Sequence, residues 1–164
     1  MQPLTDQHNR SQFLCGEEAL DRYFQTQVTQ DARRRVANCF VAVETVTEKI
    51  IAYYTIASAS ILTPDLPPEE IKRLPRYPSM PAVRIGRLAV DQQFQGRGLG
   101  SALLADAVQH TLQSAPAVFT LLVDAKNDGA AAFYEHHGFR RLMSQPNALF
   151  LPLATAVKVM PKSS

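Results

Sequence analysis

After Cys15-Gly16, apolar residues return at every fourth position, Leu20, Phe24 and Val28, among polar neighbours. That spacing belongs to one buried helical face and predicts an amphipathic helix ending near Arg35. Two apolar runs rich in β-branched and aromatic residues follow, Phe40 to Val43 and Ile50 to Ala57, parted by the polar stretch Thr45 to Lys49; they predict a hairpin of core strands. The pattern breaks from Thr63 to Pro81. Prolines at 64, 67, 68, 75, 78 and 81 remove backbone donors and disfavour any long regular element. One or two helical turns fit at Glu69 to Leu74 behind Pro67-Pro68, and Met80 and Pro81 read as loop. A strand resumes from Ala82 to Val90. Helical spacing returns from Leu99 to Thr111, a nearly continuous apolar strand runs from Ala117 to Val123, and a helix from Asp128 to His137 is stopped by Gly138. Phe139 to Met143 and Leu149 to Leu153 supply the last strands. No internal repeat interrupts this order, which predicts an α/β (α+β) sheet covered by helices.

A length of 164 residues with 46% hydrophobic content is enough for one core without disulfides or a structural metal, so a single domain, 1–164, is expected. The two cysteines, Cys15 and Cys39, form no CxxC pair and have no accompanying histidine spacing. Neither a disulfide framework nor a metal site is suggested, and both read as reduced, buried apolar fillers. Met1 to Arg10 is polar, and no apolar run approaches the roughly 18 residues a membrane span needs. A soluble, cytoplasmic protein without a membrane partner is expected. The net charge of +2 does not announce a nucleic-acid binder. Its distribution is uneven, however: Arg33, Arg34 and Arg35 are consecutive, and Lys72, Arg73, Arg76, Arg84 and Arg87 follow with no acidic residue between Lys72 and Val90. These are either two basic patches or two ordinary solvated surfaces.

Residues 84 to 100 carry the first chemical signal: a strand ending at Val90, a short turn, and a helix opening through Gly96, Gly98 and Gly100. Glycines let a backbone approach a ligand closely, and the unpaired N–H groups and dipole at a helix start favour a pyrophosphate. Arg97 adds a charge. A P-loop would need a Gly-Lys-Ser/Thr ending, which is absent, and a dinucleotide fingerprint would need an acidic ribose-binding residue, for which Asp124 is at roughly the right distance. A simple tight turn is the structural alternative for the glycines, and helix packing is that for Phe133 and Tyr134.

The spacing Gln95-x-x-Gly98-x-Gly100, preceded by Leu88-Ala89-Val90-Asp91 and followed by Asn127, Ala131-Ala132-Phe133-Tyr134 and Gly138-Phe139, resembles the acetyl-CoA-binding core of the GNAT acetyltransferases. The resemblance implies the GNAT fold, a mixed, mostly antiparallel central sheet splayed at the cofactor site with helices on both faces. It implies acetyl-CoA bound by Leu88, Ala89 and Val90 along its pantetheine arm, by Gln95, Gly96, Arg97, Gly98, Leu99 and Gly100 at its pyrophosphate, and by Asn127 and Phe133. It also implies Tyr134 as the acid that protonates the departing thiolate. A phenol of reference pKa about 10 is suited to that task. Many members place a glutamate base on the strand before the loop, yet Val83 to Leu88 contains no carboxylate. A lysine side chain near pKa 10.4 gains much from a base, whereas an α-amine near about 7.7 to 8.0 is already partly neutral, so an α-amine acceptor is favoured unless a base such as Glu44 acts from elsewhere.

Further motifs narrow the resemblance: Phe13-x-Cys15-Gly16, Leu20-Asp21-x-Tyr23-Phe24, Tyr53-Tyr54-Thr55-Ile56, Leu74-Pro75-Arg76-Tyr77-Pro78 and Leu149-Phe150-Leu151-Pro152 look like the GNAT toxins of bacterial type II toxin-antitoxin modules. That likeness implies acetylation of the α-amine of aminoacyl-tRNA, a ribbon-helix-helix antitoxin and a toxin homodimer. The eight basic residues named above become candidates for RNA phosphates. An acetyltransferase for small amines or protein amines, and a catalytically silent GNAT-fold binding module, are the other readings. Tyr53, Tyr54 and Tyr77 line either the acceptor site or the core, and His110, His136 and His137 read as solvated or capping residues.

Overall fold

The computed structural model describes residues 1–159; the last five residues of the expected 1–164 domain lie outside the described residues. Among the described residues seven strands and six α-helices follow in the order β1 (Gln2–Pro3), α1 (Glu18–Thr26), α2 (Val28–Arg33), β2 (Asn38–Val43), β3 (Ile50–Leu62), α3 (Pro68–Ile71), β4 (Ser79–Val90), α4 (Leu99–Leu112), β5 (Thr120–Asp124), α5 (Asp128–His136), β6 (Arg140–Arg141), β7 (Ala148–Pro152) and α6 (Leu153–Val159). The strands form one mostly antiparallel sheet in the order β1-β2-β3-β4-β5-β7-β6. The described residues divide into two compact units, Met1–Ala57 with Ile85–Ala107, and Ser58–Arg84 with the described residues from Val108 onward.

The first unit is built on the β2-β3 hairpin, with Val41 opposite Tyr53 and Phe40 opposite Tyr54. Phe13, Phe24 and Tyr53 form its aromatic centre: Phe24 stacks on Tyr53 at 4.2 Å, and Phe13 meets both edge-on at 5.1 and 5.4 Å. Burying side chains of this size contributes about 1.5–3 kcal/mol each. The predicted helix to Arg35 is two helices. Thr26 Oγ1 donates to the Arg22 carbonyl at 2.6 Å, a back-bond that bends helices, and Gln27 leaves helical geometry at φ −122°. The break lets the Tyr23 hydroxyl donate to Asp31 at 2.7 Å.

In the second unit β5 pairs antiparallel with β7, Leu122 facing Phe150. Ile61, Leu66, Met80, Ala82, Leu122 and Phe150 are its core. Met80, expected in a loop, lies in β4 and is only 4% exposed; the apolar side chain fills this core, and the Pro81 carbonyl accepts the Phe119 N–H. Pro81 lacks a donor but keeps its acceptor. β3 runs five residues beyond the expected Ala57. The expected strand from Phe139 to Met143 shrinks to β6, and Leu153, expected to end a strand, opens α6.

Candidate functional site

The turn after β4 is braced before it reaches the glycines. Asp91, 2% exposed, receives the N–H groups of Leu14 at 3.3 Å and Gln93 at 3.0 Å, with Lys49 Nζ at 3.9 Å. Its own N–H donates to the Ile51 carbonyl, and Gln92 N–H donates to Leu14. A buried carboxylate is tolerated only with such partners. The Gln95 amide then donates to the carbonyls of Cys15 at 2.8 Å and Val90 at 3.0 Å. Gln95 was expected at the pyrophosphate; in the structure its side chain ties the N-terminal segment to the loop.

Gly96 and Gly98 have φ of +81° and +80°, a left-handed conformation that costs other residues free energy. A Cβ at either would meet nothing within 4 Å, so glycine is required there by backbone conformation and not by crowding. The loop thereby presents bare backbone and feeds directly into α4, a helix of 14 residues. Arg97 is exposed, its guanidinium 5.0 Å from the Phe94 ring. Open backbone, a helix start and a cation fit a pyrophosphate. Leu88 and Val90 are half-buried and Ala89 is buried on β4. The helix behind the loop is held by Tyr54, whose hydroxyl donates to Asp106 on α4 at 2.6 Å.

The second unit holds Asn127, Phe133 and Tyr134 on and beside α5. Asn127 is the N-cap: its Oδ1 accepts the Ala130 N–H at 2.8 Å, which satisfies one of the open donors of the first turn. At the other end the Tyr134 carbonyl accepts from His137 and Phe139, and Gly138 at φ +94° turns the chain away. His137 Nδ1 lies 2.8 Å from the Phe133 carbonyl, a helix-end contact in line with a capping role. The Tyr134 ring is enclosed edge-on by Phe133 at 5.2 Å and Phe139 at 5.3 Å. Burial pushes its phenol up to about 12, because the anion would be poorly solvated. Among the described residues its hydroxyl has no protein hydrogen-bond partner, and no fully buried side-chain N or O lacks one. The oxygen therefore reaches the surface with its proton uncommitted.

The basic candidates are in different circumstances. Arg33 lies 3.6 Å from Asp6, both largely exposed, while Arg34 and Arg35 are exposed at the end of α2. Arg87 is half-buried with its guanidinium 3.4 Å from the Tyr23 ring centroid, a cation–π contact. In the second unit Arg84 pairs with Asp124 at 3.5 Å, and Lys72, Arg73 and Arg76 are exposed. Tyr53 and Tyr54 are fully buried in the first unit, whereas Tyr77 is 64% exposed. Cys15 and Cys39 are buried free thiols. Motif spacing did not single out the Tyr54–Asp106 bond or the brace around Asp91.

The braced glycine turn feeding α4 in the first unit and, in the second, a buried tyrosine whose hydroxyl has no protein partner among the described residues each suit an acyl-CoA-dependent acyltransferase. The acetyltransferase (GNAT) domain matches residues 35–141. A tRNA-acetylating toxin of Mycobacterium tuberculosis is 32% identical over 155 residues, 93% of this chain and 91% of the relative. The solved structure of AtaT complexed with acetyl-methionyl-tRNAfMet superposes with a TM-score of 0.89 at 30% identity, covering 96% of both chains. A tyrosine-to-phenylalanine mutant of the AtaT toxin, bound to the C-terminus of the antitoxin AtaR and acetyl-CoA, does so with a TM-score of 0.76 at 28% identity over 94% of this chain and 93% of that one. The chain belongs to the GNAT acetyltransferase family, in the company of its tRNA-acetylating toxins. Among the described residues no helix is long and apolar enough to cross a membrane.

Proposed function

We propose that this chain is an acetyl-CoA-dependent N-acetyltransferase that acetylates the α-amine of aminoacyl-tRNA and so blocks translation. The observation that carries the reading is the relationship, over nearly the whole length of both chains, to a tRNA-acetylating toxin and to a toxin structure holding acetyl-methionyl-tRNA. Acetyl-CoA supplies the acetyl group as a thioester. Gln95 to Gly100 offer the pyrophosphate bare N–H groups, the start of α4 and Arg97, while the main chain of Leu88 to Val90 pairs with the pantetheine arm. Asn127 and Phe133 complete its contacts.

Tyr134 holds a proton at Oη for the sulfur that leaves. A phenol is protonated throughout the neutral range with or without the upward shift that burial gives this one, and among the described residues no protein acceptor competes for that proton. β4 carries no carboxylate between Val83 and Leu88, so an amine that arrives neutral suits this chain, and an aminoacyl α-amine, near or below about 8, does so. The exposed cations Arg34, Arg35, Lys72, Arg73 and Arg76, with Arg33, Arg84 and Arg87, supply contacts to RNA phosphates. The protein works in the cytoplasm as a homodimer and is neutralised by a ribbon-helix-helix antitoxin.

The test is mass spectrometry of total aminoacyl-tRNA incubated with acetyl-CoA and the wild-type protein or Tyr134→Phe. Acetylated aminoacyl adducts appear only with wild type, and fewer form as salt rises. Acetylation of free polyamines or peptides with no aminoacyl adduct would replace this reading with that of an ordinary amine acetyltransferase.

A further inference from the structure

The proline-rich segment Thr63 to Pro78 contains three acidic and three basic side chains, and the fold treats them oppositely. Asp65 accepts the Ser144 hydroxyl at 2.7 Å. Glu70 accepts from Arg140 at 2.9 Å, and Glu69 accepts from the same guanidinium. Lys72, Arg73 and Arg76 are exposed, and none of them forms an ion pair among the described residues. The formal charges cancel, yet the surface left to a partner is cationic.

Tyr77 stands among these cations. It is 64% exposed, while the other four tyrosines are at most 8% exposed. Its exposure does not come from a loose backbone. Tyr77 N–H donates to the Pro75 carbonyl at 2.8 Å, Thr63 N–H donates to Pro78 at 3.0 Å, and Thr63 Oγ1 donates to the Tyr77 carbonyl at 2.7 Å. The prolines on either side limit φ further. A large flat ring is thus held in solvent on a hydrogen-bonded frame.

Single-stranded RNA complements such a surface, since each unpaired nucleotide joins a flat base face to a negative phosphate. We propose that Tyr77 stacks on an unpaired base of the RNA substrate while Lys72, Arg73 and Arg76 engage the adjoining phosphates. This rests on the aminoacyl-tRNA reading above and adds to it a base contact outside the acetyl-transfer chemistry.

The chain has no tryptophan, so Tyr77→Trp places a single indole at the platform, excited selectively over the remaining tyrosines at long wavelength. Its emission is quenched on titration with deacylated tRNA, which has unpaired bases, and much less by a blunt RNA duplex of equal charge at the same salt. In steady-state acetylation, Tyr77→Ala raises KM for aminoacyl-tRNA by about tenfold, with kcat and KM for acetyl-CoA retained, and Tyr77→Phe restores most of the loss. Equal quenching by duplex and tRNA, no quenching by either, or a Tyr77→Ala KM within about twofold of wild type would overturn the proposal. So would a Tyr77→Ala protein whose sedimentation alone shows fewer copies associated, which would assign the ring to a contact between chains. If wild type acetylates no aminoacyl-tRNA but tRNA still quenches Tyr77→Trp selectively, the platform stands and the substrate reading falls. If acetylation proceeds and Tyr77→Ala matches wild type, the platform alone fails.

Discussion

Tyr54 in the first unit and Tyr134 in the second are buried to nearly the same degree, 0% and 8% exposed, yet their hydroxyls are in opposite conditions. The Tyr54 phenol donates to Asp106 at 2.6 Å, and its pKa is pushed far up, first by burial and then by that carboxylate. Its proton belongs to a link between β3 and α4, the helix that follows the glycine turn. Tyr23 and Tyr53 behave alike, donating to Asp31 and to the Leu20 carbonyl. Tyr134 is also packed among aromatic rings, edge-on against Phe133 and Phe139 where Tyr54 lies stacked on Phe40, but among the described residues its hydroxyl has no protein acceptor. Burial alone therefore does not mark a reactive tyrosine: a satisfied hydroxyl fixes structure, and an uncommitted one leaves a proton available for chemistry.

The comparison breaks most sharply at Tyr134. Tyr134→Phe removes the proposed acid and is expected to lower kcat by about 10²- to 10⁴-fold. KM for acetyl-CoA and the melting temperature should hardly change, since no hydrogen bond is lost. With the phenol at about 12, the wild-type pH–rate profile should show no descending limb from this group below about pH 10. A melting-temperature loss like that of a core mutant, or kcat near wild type, would make Tyr134 another structural tyrosine.

Tyr54→Phe is the mirror experiment. It deletes one charge-assisted bond, a loss of about 1.5–3 kcal/mol of stability, seen in calorimetry as a melting point lower by about 5 °C for a chain of this size. Turnover well below that temperature should persist. Gly98→Ala comes next. A Cβ there meets nothing within 4 Å, so the cost comes from a left-handed φ, about 1–2 kcal/mol. If the loop shifts to relieve that strain, KM for acetyl-CoA rises by about tenfold while kcat changes less. A change confined to the melting temperature would mean the loop keeps its shape and bears the strain.

The contrast between the tyrosines also explains what was legible in the sequence. The glycine turn is legible because Gly96, Gly98 and Gly100 are close together and follow a strand, and α5 is legible because Gly138 ends it. Local signals of this kind survive in one dimension. The Tyr54–Asp106 bond spans 52 residues and the Leu14–Asp91 bond spans 77, so no spacing rule reports them. Hydrophobic patterning does not tell Tyr54 from Tyr134, both of which lie in apolar runs, and only the resemblance carried by Asn127, Ala131 to Tyr134 and Gly138 separates them; nothing local announces that Tyr77 is exposed. The break at Thr26 depends on which carbonyl a hydroxyl finds. Leu153, which opens α6, reads as the end of a strand because a short apolar run fits both periods.

The smallest expected effect concerns the two thiols, and it extends the same distinction to a second chemistry. Cys15 is raised to about 11 and Cys39 to about 12, in both cases mainly by burial. A backbone contact at Glu17 pulls Cys15 partly back down and Asp21 pushes it up again, while Arg10 lowers Cys39. The thiolate is the reactive species. At pH 7 it is roughly one part in 10⁴ of Cys15 and one in 10⁵ of Cys39, against a few per cent for a free thiol. Native protein treated with iodoacetamide near neutral pH should therefore keep both thiols and full activity over a period in which guanidinium-unfolded protein is alkylated twice. Because the Cys15 carbonyl receives the Gln95 amide, alkylation of Cys15 in the native state would disturb the loop and show as a higher KM for acetyl-CoA. Rapid native labelling of Cys15 would mean that the Phe13–Gly16 segment opens on its own, and the brace on the pyrophosphate turn would then be looser than its hydrogen bonds imply.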